Sequence, residues 1–326
     1  METVFTQSIY NLNLVSKIKN LIVFRIIFNQ KTGSGHLYQA LGLVEEINLK
    51  ENKVIFILNS YDNSLKIKVN SKIDIITEDI LFNNLLSLNA HNYTNLYFIN
   101  DTLDTTKEEI KTIKDFNFKI INIEDQGSGA EFANLVINAL YQKSTNNSNE
   151  FNGPKFNIFR NEFYAESKCL IDKKDSKKIL ISFGGTDPAK LTELTIGFLL
   201  KMGIRNLSVI DPPHRKIRVD EYSKWIIKDK VNVAAEINKS QFVISSGGRT
   251  VYEANFLKTQ SLVICQNKRE LSHYCLTLDS VTNLGLHSEV TFQQFENSIQ
   301  SLRSQNNNLY FDKWLSKKEI LDLILS

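Results

Sequence analysis

Residues Leu21 to Ile47, LIVFRIIFNQKTGSGHLYQALGLVEEI, indicate the fold class, because they join an apolar strand to an amphipathic helix through a glycine loop. An apolar run extends to Phe28, and apolar residues then recur at helical spacing from Leu37 to Ile47. A strand, a turn and a helix in this order form the first half of a βαβ unit, in which the helix packs over parallel strands.

The same alternation of apolar runs and helical patterns continues along the rest of the chain. In the first half it predicts strands at Lys53 to Leu58, Ile73 to Thr77, Leu96 to Ile99, Lys119 to Ile123 and Leu135 to Asn138. In the second half it predicts strands at Lys178 to Phe183, Leu207 to Asp211, Val231 to Ala234, Phe242 to Ser246 and Ser261 to Cys265, and helices at Ala189 to Met202, Glu221 to Lys228, Thr250 to Leu257 and from Asp312 to the end. The pattern is typical of an α/β fold with two Rossmann-like, doubly wound domains.

The polar stretch Gln142 to Asn152, which is followed by Gly153 and Pro154, is the predicted domain boundary. The prediction is an N-terminal extension over residues 1–20, one domain over residues 21–152 and a second over residues 153–326. A length of 326 residues is sufficient for two domains. Ligands of such pairs bind in the cleft at the carboxyl ends of the strands.

Composition excludes several classes of protein. A net charge of +3 with dispersed basic residues argues against nucleic-acid binding. Three cysteines without paired spacing indicate a reducing compartment. The first 20 residues contain no apolar signal-peptide core, and the apolar run Leu21 to Phe28 is too short to span a membrane. We therefore expect a cytoplasmic protein without integral membrane insertion.

Glycine is scarce and unevenly placed. Eight of the 13 glycines form four close pairs, at Gly33/Gly35, Gly127/Gly129, Gly184/Gly185 and Gly247/Gly248. Three of these pairs directly follow predicted strands, and the other follows Ile123 by four residues. All four are thus expected at the cleft, although no chemical role is evident for Gly127/Gly129.

The first glycine loop, Gly33-Ser34-Gly35, precedes a helix whose exposed amides favour negative charge, so its three residues are candidate substrate contacts. The loop lacks the third glycine of a dinucleotide fingerprint, and no acidic residue ends the second strand, which excludes a nicotinamide site. His36 follows in the first helical turn, where the helix dipole disfavours the imidazolium. It is a candidate general base, or equally a polar residue at a helix start.

The second loop, Gly184-Gly185-Thr186, again connects a strand to a helix, and its three residues are candidate phosphate or sugar contacts. Asp187 followed by Pro188 is also typical of a plain helix start, with an N-cap and a proline at the first position.

The third loop predicts a diphosphate cradle. Successive amides at a helix start, hydroxyl groups and a guanidinium are the donors that such an anion needs. The candidate residues are Ser246, Gly247, Gly248, Arg249 and Thr250. Glu253, one turn further on, is a candidate acceptor for ribose hydroxyls, although Thr250 and Glu253 also fit a capping box.

A fourth polar string follows the strand that ends at Cys265, and its candidate substrate contacts are Asn267, Glu270 and His273, although a surface loop has the same composition. Cys265, His273 and Cys275 lack the spacing of zinc ligands. No metal and no cofactor are therefore expected.

Taken in order, these motifs resemble the nucleotide-sugar hydrolases of the pseudaminic acid pathway, and especially the hydrolase-like half of proteins that carry an acylneuraminate cytidylyltransferase domain in front. The resemblance runs from about Leu21 through Gly33 to His36, Asn122 to Gly127, Val136 to Tyr141, Phe159 to Phe163, Ser182 to Pro188 and Ser245 to Glu253. It implies the two-domain fold of GT-B glycosyltransferases.

The resemblance also implies chemistry: water replaces uridine diphosphate (UDP) at the anomeric carbon, with inversion and no metal ion. His36 would orient or deprotonate the water, the Gly247 to Thr250 loop would hold the diphosphate and Glu253 would bind the ribose. Two departures affect substrate identity. Gln39 stands where the family usually has an arginine, and the string from Asn267 to His273 replaces an asparagine–glutamine dipeptide.

The leading hypothesis from the sequence is a metal-independent, inverting hydrolase that cleaves a UDP-linked amino or acetamido sugar in nonulosonic acid or surface glycan biosynthesis. A GT-B glycosyltransferase with a UDP-sugar donor is the first alternative. A non-catalytic sugar-nucleotide binding protein, docked to a separate cytidylyltransferase, is the second.

Overall fold

A computed structural model describes residues 18–27, 35–59, 71–78, 90–141, 149–171, 177–185, 187–211, 220–227, 231–304 and 310–326. The candidate residues Gly33, Ser34 and Thr186 lie outside these ranges, as does most of the N-terminal extension.

The first sheet consists, over the described residues, of seven parallel strands in the order β3-β2-β1-β4-β5-β6-β7. The strands are β1 (Asn20–Ile26), β2 (Asn52–Leu58), β3 (Asp74–Thr77), β4 (Asn95–Asp101), β5 (Lys119–Ile123), β6 (Leu135–Asn138) and β7 (Glu150–Asn152). The order runs outward from β1 and β4, whose last residues Ile26 and Asp101 are register partners. The topological switch point, where ligands of such sheets bind, therefore lies beyond Ile26 and Asp101.

The second sheet has the order β12-β11-β10-β8-β9 over the same part of the chain, and it is also parallel. Its strands are β8 (Ile179–Ser182), β9 (Leu207–Val209), β10 (Phe242–Ser245), β11 (Gln260–Cys265) and β12 (Val281–Leu286). Here the order reverses between β8 and β10, whose last residues Ser182 and Ser245 are register partners. The loops with Gly184 and Gly247 thus leave the sheet side by side.

Eight α-helices cover the two sheets in the described ranges: α1 (Gly35–Val44), α2 (Lys107–Lys114), α3 (Asn161–Glu166), α4 (Leu191–Lys201), α5 (Val233–Asn238), α6 (Arg249–Phe256), α7 (Phe292–Ser304) and α8 (Lys317–Leu325). None of them is long and apolar enough to cross a membrane.

The predicted strand Val231 to Ala234 is wrong. The side chain of Asn232 accepts a hydrogen bond of 3.0 Å from the amide of Ala235 and thereby caps helix α5. Ala234 and Ile237 are both fully buried at helical spacing, which outweighs the strand preference of the two valines. The predicted helix Glu221 to Lys228 is a short 3-10 helix, Asp220–Trp225, over the described residues.

Strands β7 and β12 were not predicted. β7 is three residues long and lies within the polar stretch that the sequence analysis assigned to the domain boundary. β12 is half-buried, with the sequence VTNLGL, so its apolar pattern is weak. Both are edge strands, which need little hydrophobic signal because one side of each is unpaired.

One apolar cluster connects the two sheets. It contains Phe24 and Ile99 of the first sheet together with Val243 and Val263 of the second, all fully buried. The opposite faces of the two sheets carry separate clusters. The two halves are therefore packed on each other over a shared core, and the cleft between them lies at the strand ends.

Helix α8 packs against elements of the first half of the chain. The hydroxyl of Tyr97 in β4 donates a hydrogen bond of 2.8 Å to the carbonyl of Leu325, and Lys317 Nζ lies 2.6 Å from Glu45 Oε2. The predicted division at residue 152 groups this helix with the second half of the chain, whereas these contacts are with the first half.

Candidate functional site

A cavity of about 350 Å³, called the first cavity below, lies between the two switch points. Gly35, Tyr38 and Gln39 form its wall on the first half of the chain, and Gly184, Gly185, Arg249, Thr250 and Glu253 form its wall on the second half, with Ile158, Arg160, Ser182, Ile210, Val231 and Val233 completing the lining. It is within the usual size range of small-molecule sites. The charged residues in its lining are Arg160, Arg249 and Glu253, so the cavity has guanidinium groups of the kind that bind anionic ligands, together with one carboxylate.

Arg249 connects the two halves across the first cavity. Its Nε donates to Gln39 Oε1 at 2.9 Å, and its Nη2 donates to Glu124 Oε2 at 2.6 Å. Its Nη1 faces Gly35, where a Cβ atom would lie 3.1 Å from that nitrogen. Arg249 is at the first position of α6, after a glycine pair with no side-chain cap, so its backbone is also at the positive end of a helix.

His36 and Asp101 form a buried pair at the first switch point. His36 Nδ1 lies 2.5 Å from Asp101 Oδ1, and Gln39 Nε2 donates to Asp101 Oδ2 at 3.0 Å. A carboxylate only accepts hydrogen bonds, so Nδ1 of His36 carries a proton, and in a neutral ring the lone pair would be on Nε2. His36 itself does not line the first cavity, but Asp101 and Gln39 connect it to the cavity wall and to Arg249.

Glu124 is the most unusual residue of the site. It follows β5 with a φ of +56°, in the left-handed region that non-glycine residues rarely adopt. The side chain is 1% exposed, and its Oε1 has no hydrogen-bond partner. Burial raises the pKa of the carboxyl, and the charge of Arg249 opposes this shift. A strained backbone and a desolvated acid together are typical of a functional position.

His36, Asp101 and Glu124 each place one possible ligand atom within 4.8 Å of the other two, which is a spacing that a metal ion could use. The sequence pattern predicts no metal site and does not indicate this group of three residues. In the structure, Gln39 and Arg249 donate to the two carboxylates, and the guanidinium supplies a positive charge. The carboxylates of Asp101 and Glu124 are therefore held in place by hydrogen bonds from Gln39 and Arg249.

A second ion pair, between Arg160 and Glu253, also lines the first cavity. Arg160 Nη2 is 3.4 Å from Glu253 Oε1, and the guanidinium stacks over the ring of Tyr38 at 5.0 Å. Burial raises the pKa of Glu253, with Arg160 acting in the opposite direction. No side-chain cap forms at the start of α6, so the capping-box alternative for Thr250 and Glu253 is wrong.

The structure brings some of the predicted site residues together and places others elsewhere. Six of them line the first cavity: Gly35, Gly184, Gly185, Arg249, Thr250 and Glu253. Seven described candidates do not line it: His36, Ser246, Gly247, Gly248, Asn267, Glu270 and His273. The roles of all thirteen in ligand binding remain predictions.

Glu270 and His273 instead hold the third glycine loop. Glu270 Oε2 accepts hydrogen bonds from the amides of Gly247 at 3.2 Å and Gln266 at 2.8 Å. His273 Nδ1 donates to the carbonyl of Gly247. The Gly247 amide, which the sequence analysis assigned to a diphosphate, is thus already bonded to a carboxylate.

The second glycine loop also differs from a plain helix start. Helix α4 begins at Leu191, and the carboxylate of Asp187 accepts from the amides of Leu191 at 2.8 Å and Thr192 at 3.0 Å. Pro188 is therefore not at the first helical position. Gly184 has a φ of +78°, which favours glycine at this turn.

The pair Gly127/Gly129 has a packing role. A Cβ atom at either position would overlap Thr105, whose carbonyl accepts the amide of Gly129 at 2.9 Å. The loop after β5 therefore lies directly against the loop after β4. Asp125 holds the same contact, because its carboxylate accepts from the amide and the hydroxyl of Thr105 at 2.9 and 2.6 Å.

Four residues of the site, Asp101, Glu124, Arg160 and Tyr38, were not predicted from the sequence. A signal existed for the two acids, because each ends or follows a predicted strand of the first sheet, on the same edge as His36. Arg160 and Tyr38 gave no such signal, since their positions depend on how the two halves pack.

No family model matches the chain. An uncharacterized protein of Methanocaldococcus jannaschii, MJ1062, is 31% identical over 281 residues, which are 78% of this chain and 57% of that protein. The spore coat polysaccharide biosynthesis protein SpsG of Bacillus subtilis is 24% identical over 184 residues, 51% of this chain and 54% of SpsG. The chain thus spans little more than half the length of these relatives.

Solved structures share the fold at low sequence identity. A glycotransferase of kitacinnamycin aligns with a TM-score of 0.57 and 11% identity over 93% of both chains. Arabidopsis thaliana UGT89C1 in complex with quercetin aligns at 0.59 and 12%, over 95% of this chain and 94% of that one. The UDP-GlcNAc 2-epimerase of Methanocaldococcus jannaschii aligns at 0.54 and 10%, over 94% and 99%. The prediction of an α/β, GT-B fold is confirmed.

Proposed function

We propose that the protein is a metal-independent hydrolase that cleaves a UDP-linked amino or acetamido sugar to the free sugar and UDP. The observation that carries this proposal is the chain of contacts from His36 through Asp101 and Gln39 to Arg249. It connects a candidate base on the first half to a candidate phosphate ligand on the second half, across a cavity of suitable size.

In this proposal the second half of the chain binds the nucleotide. The amides of Gly184 and Gly185 and the guanidinium of Arg249 support the diphosphate, and Glu253 accepts hydrogen bonds from ribose hydroxyls. These are preorganised donors at the place where negative charge develops as the leaving group departs. Arg249 lies between this wall and Glu124, so its guanidinium can stabilise the negative charge that develops on the leaving diphosphate.

The first half activates water. Asp101 fixes the ring of His36, whose Nε2 takes a proton from the water as its oxygen bonds to the anomeric carbon. The bond from that carbon to the diphosphate oxygen breaks with inversion, and its electron pair leaves on UDP. Proton transfer to a positioned imidazole contributes about 10²- to 10⁴-fold to a rate.

The test is release of UDP from a panel of UDP-linked amino and acetamido sugars, without any acceptor and with a chelator present. We expect turnover in the wild-type protein and a loss of about 10²-fold or more in His36→Ala. His91→Ala is the matched control, because His91 is exposed on a short 3-10 helix away from the first cavity. Equal rates in the two variants would show that His36 is not the base.

A glycosyltransferase that uses the same nucleotide site is the second candidate. It is favoured by a separate polar cavity of about 320 Å³ on the first half of the chain, with Asp125, Asn138 and Glu150 among its lining residues. Turnover that depends strictly on an added sugar or lipid acceptor would select it. Tight UDP binding with neither activity would instead support a binding protein, with a separate cytidylyltransferase as its proposed partner.

A further inference from the structure

Arg160 reaches the first cavity from the segment between the two sheets, directly before helix α3. Its guanidinium lies over two aromatic rings, 5.0 Å from the centroid of Tyr38 in α1 and 5.2 Å from that of Phe163 in α3. Contact with aromatic faces restricts the orientation of a planar guanidinium. The side chain of Arg160 is therefore held by groups from both α1 and α3.

The backbone next to Arg160 is fixed to helix α6, which carries Glu253. Phe159 is 1% exposed, and its ring stacks on that of Phe256 with centroids 4.4 Å apart and an interplanar angle of 24°. Phe256 follows Glu253 by three residues in α6, so the two side chains are neighbours on the helix. The aromatic stack therefore places Arg160 beside Glu253 without depending on their ion pair.

The two terminal nitrogens of Arg160 face two carboxylates. Nη2 lies 3.4 Å from Glu253 Oε1, and Nη1 lies 3.1 Å from Glu162 Oε1. Burial raises the pKa of both carboxyls, and Arg160 opposes both shifts. The guanidinium thus favours the charged form of Glu253, and a carboxylate accepts hydrogen bonds more strongly than a neutral acid does.

Glu253 keeps one oxygen for a ligand. Its Oε1 is the oxygen that faces Arg160, and Oε2 accepts no hydrogen bond from the residues that the structure describes. The side chain lines the first cavity and is 17% exposed. Because Oε1 is held, Oε2 is restricted to few positions in the cavity wall, and an acceptor fixed in this way loses little entropy when a ligand binds.

We propose that Arg160 is a positioning residue, which holds the Glu253 carboxylate where it accepts hydrogen bonds from ribose hydroxyls and thereby gives the site its preference for a ribonucleotide. This inference rests on the nucleotide site of the proposed function, but not on hydrolysis. Arg249 and the glycine loops, which the proposed function assigns to the diphosphate, are not involved. The contribution of Arg160 is therefore confined to the ribose.

The experiment compares the affinities of UDP and 2′,3′-dideoxy-UDP, which lacks both ribose hydroxyls, by isothermal titration calorimetry of the full chain at neutral pH. We expect the wild type to prefer UDP by about tenfold to 10²-fold, because hydrogen bonds to a charged group have effects of this size. Arg160→Met should reduce the preference to less than about threefold through weaker binding of UDP, because Glu253 is then neither held nor kept charged. Binding of the dideoxy ligand should stay within about threefold of the wild type, since its contacts do not include Glu253.

Further variants separate positioning from a general effect on the fold. Arg160→Lys keeps a positive charge beside Glu253 and should recover most of the preference. In a double-mutant cycle, Glu253→Gln alone should lower the preference as Arg160→Met does, and the combined variant should lower it no further, because Arg160 acts through Glu253.

Arg303→Met, exposed at the end of α7, is the matched control and should keep the wild-type preference. Circular dichroism checks that each variant is folded, and Arg160→Gln takes the place of Arg160→Met if the latter does not fold.

The role of Arg160 is overturned if Arg160→Met keeps the wild-type preference, if Arg160→Lys is no better than Arg160→Met, or if the effects of Arg160→Met and Glu253→Gln add. Equal affinity of the wild type for both ligands would overturn Glu253 as the ribose acceptor, and with it the role of Arg160. The proposed hydrolysis fails separately if the wild type binds UDP but releases none from UDP-sugars. Absence of UDP binding would overturn the nucleotide site and both proposals.

Discussion

Two arginines of the second half of the chain reach into the first half, and their surroundings differ sharply. Arg249 is paired with Glu124 in the first cavity, where the two side chains are 18% and 1% exposed. Arg269 is paired with Asp104 by two hydrogen bonds of 2.8 and 2.9 Å, and those side chains are 36% and 47% exposed. Both pairs join a guanidinium to a carboxylate, but only the Arg249–Glu124 pair is largely shielded from solvent.

The directions of the two carboxyl pKa values show what this difference does. Burial raises the pKa of Glu124 despite the adjacent guanidinium, whereas the hydrogen bonds from Arg269 lower the pKa of Asp104. The exposed pair is a solvated contact in which attraction prevails. In the buried pair, the effect of desolvation on the Glu124 pKa exceeds that of the attraction to Arg249. An anionic ligand can therefore compete with Glu124 for the guanidinium of Arg249.

The largest expected difference is in activity. Arg249→Ala should lower kcat/KM for UDP release by about 10²- to 10³-fold, because it removes a preorganised donor to the leaving group. Arg269→Ala should change it by no more than about threefold, since Arg269 is in a half-exposed surface pair. Steady-state kinetics with both variants, after urea denaturation has confirmed that each is folded, checks this. Losses of similar size would mean that both arginines serve only to hold the halves together.

A second difference should appear in stability. Glu124→Ala leaves Arg249 largely desolvated without its anion, so we expect a loss of about 3 kcal/mol in the free energy of unfolding. Asp104→Ala leaves Arg269 in contact with solvent and should cost less than about 1 kcal/mol. Urea denaturation at neutral pH measures both. If Asp104→Ala is the more destabilising variant, the exposed Arg269–Asp104 pair contributes more to the contact between the two halves than the buried pair does.

Lowering the pH should reduce the free energy of unfolding through protonation of His273, which lies near Arg269. Burial lowers the pKa of His273 to about 4, and the charges of Arg269 and Arg249 act in the same direction. The unfolded chain then binds more protons than the folded one between about pH 6.5 and pH 4, so stability falls as the pH is lowered through this range.

From neutral pH to about pH 5, the His273 shift corresponds to a loss of about 2 kcal/mol. His273→Gln keeps a donor for the carbonyl of Gly247 and should remove this part of the pH dependence, as measured by urea denaturation at several pH values. His91→Gln, at an exposed position, is the control and should follow the wild type. A His273→Gln curve parallel to the wild type would contradict the assignment.

The sequence predicted the parallel strands well, because central strands such as β8 and β10 are buried along their whole length and are mostly apolar. It failed where local pattern and tertiary context disagree, as at α5, whose valines suggested a strand. Short edge strands such as β7 were missed because they bury too little to leave a pattern.

For the site, glycine loops at strand ends located both walls of the first cavity, since that geometry follows from a parallel sheet. The contacts of Arg249 with Gln39 and Glu124 could not be predicted, because they depend on how two separate sheets pack. The substrate contacts predicted for Asn267, Glu270 and His273 remain predictions. The composition of this string could not predict that Glu270 and His273 hydrogen-bond the loop at Gly247, because a polar loop that holds another loop has the composition of one that binds a ligand.

The smallest expected effect is that of salt on the stability of the variants. It distinguishes the two pairs by how far each is exposed to solvent. Raising NaCl to about 1 M shortens the screening length to about 3 Å, which weakens exposed pairs and leaves buried ones nearly unchanged. The destabilisation by Asp104→Ala should therefore shrink by a few tenths of a kcal/mol toward zero, while that of Glu124→Ala stays constant. Urea denaturation of both variants and of the wild type at low and high salt tests this, and equal salt sensitivity would show that water reaches the Arg249 pair as freely as the Arg269 pair.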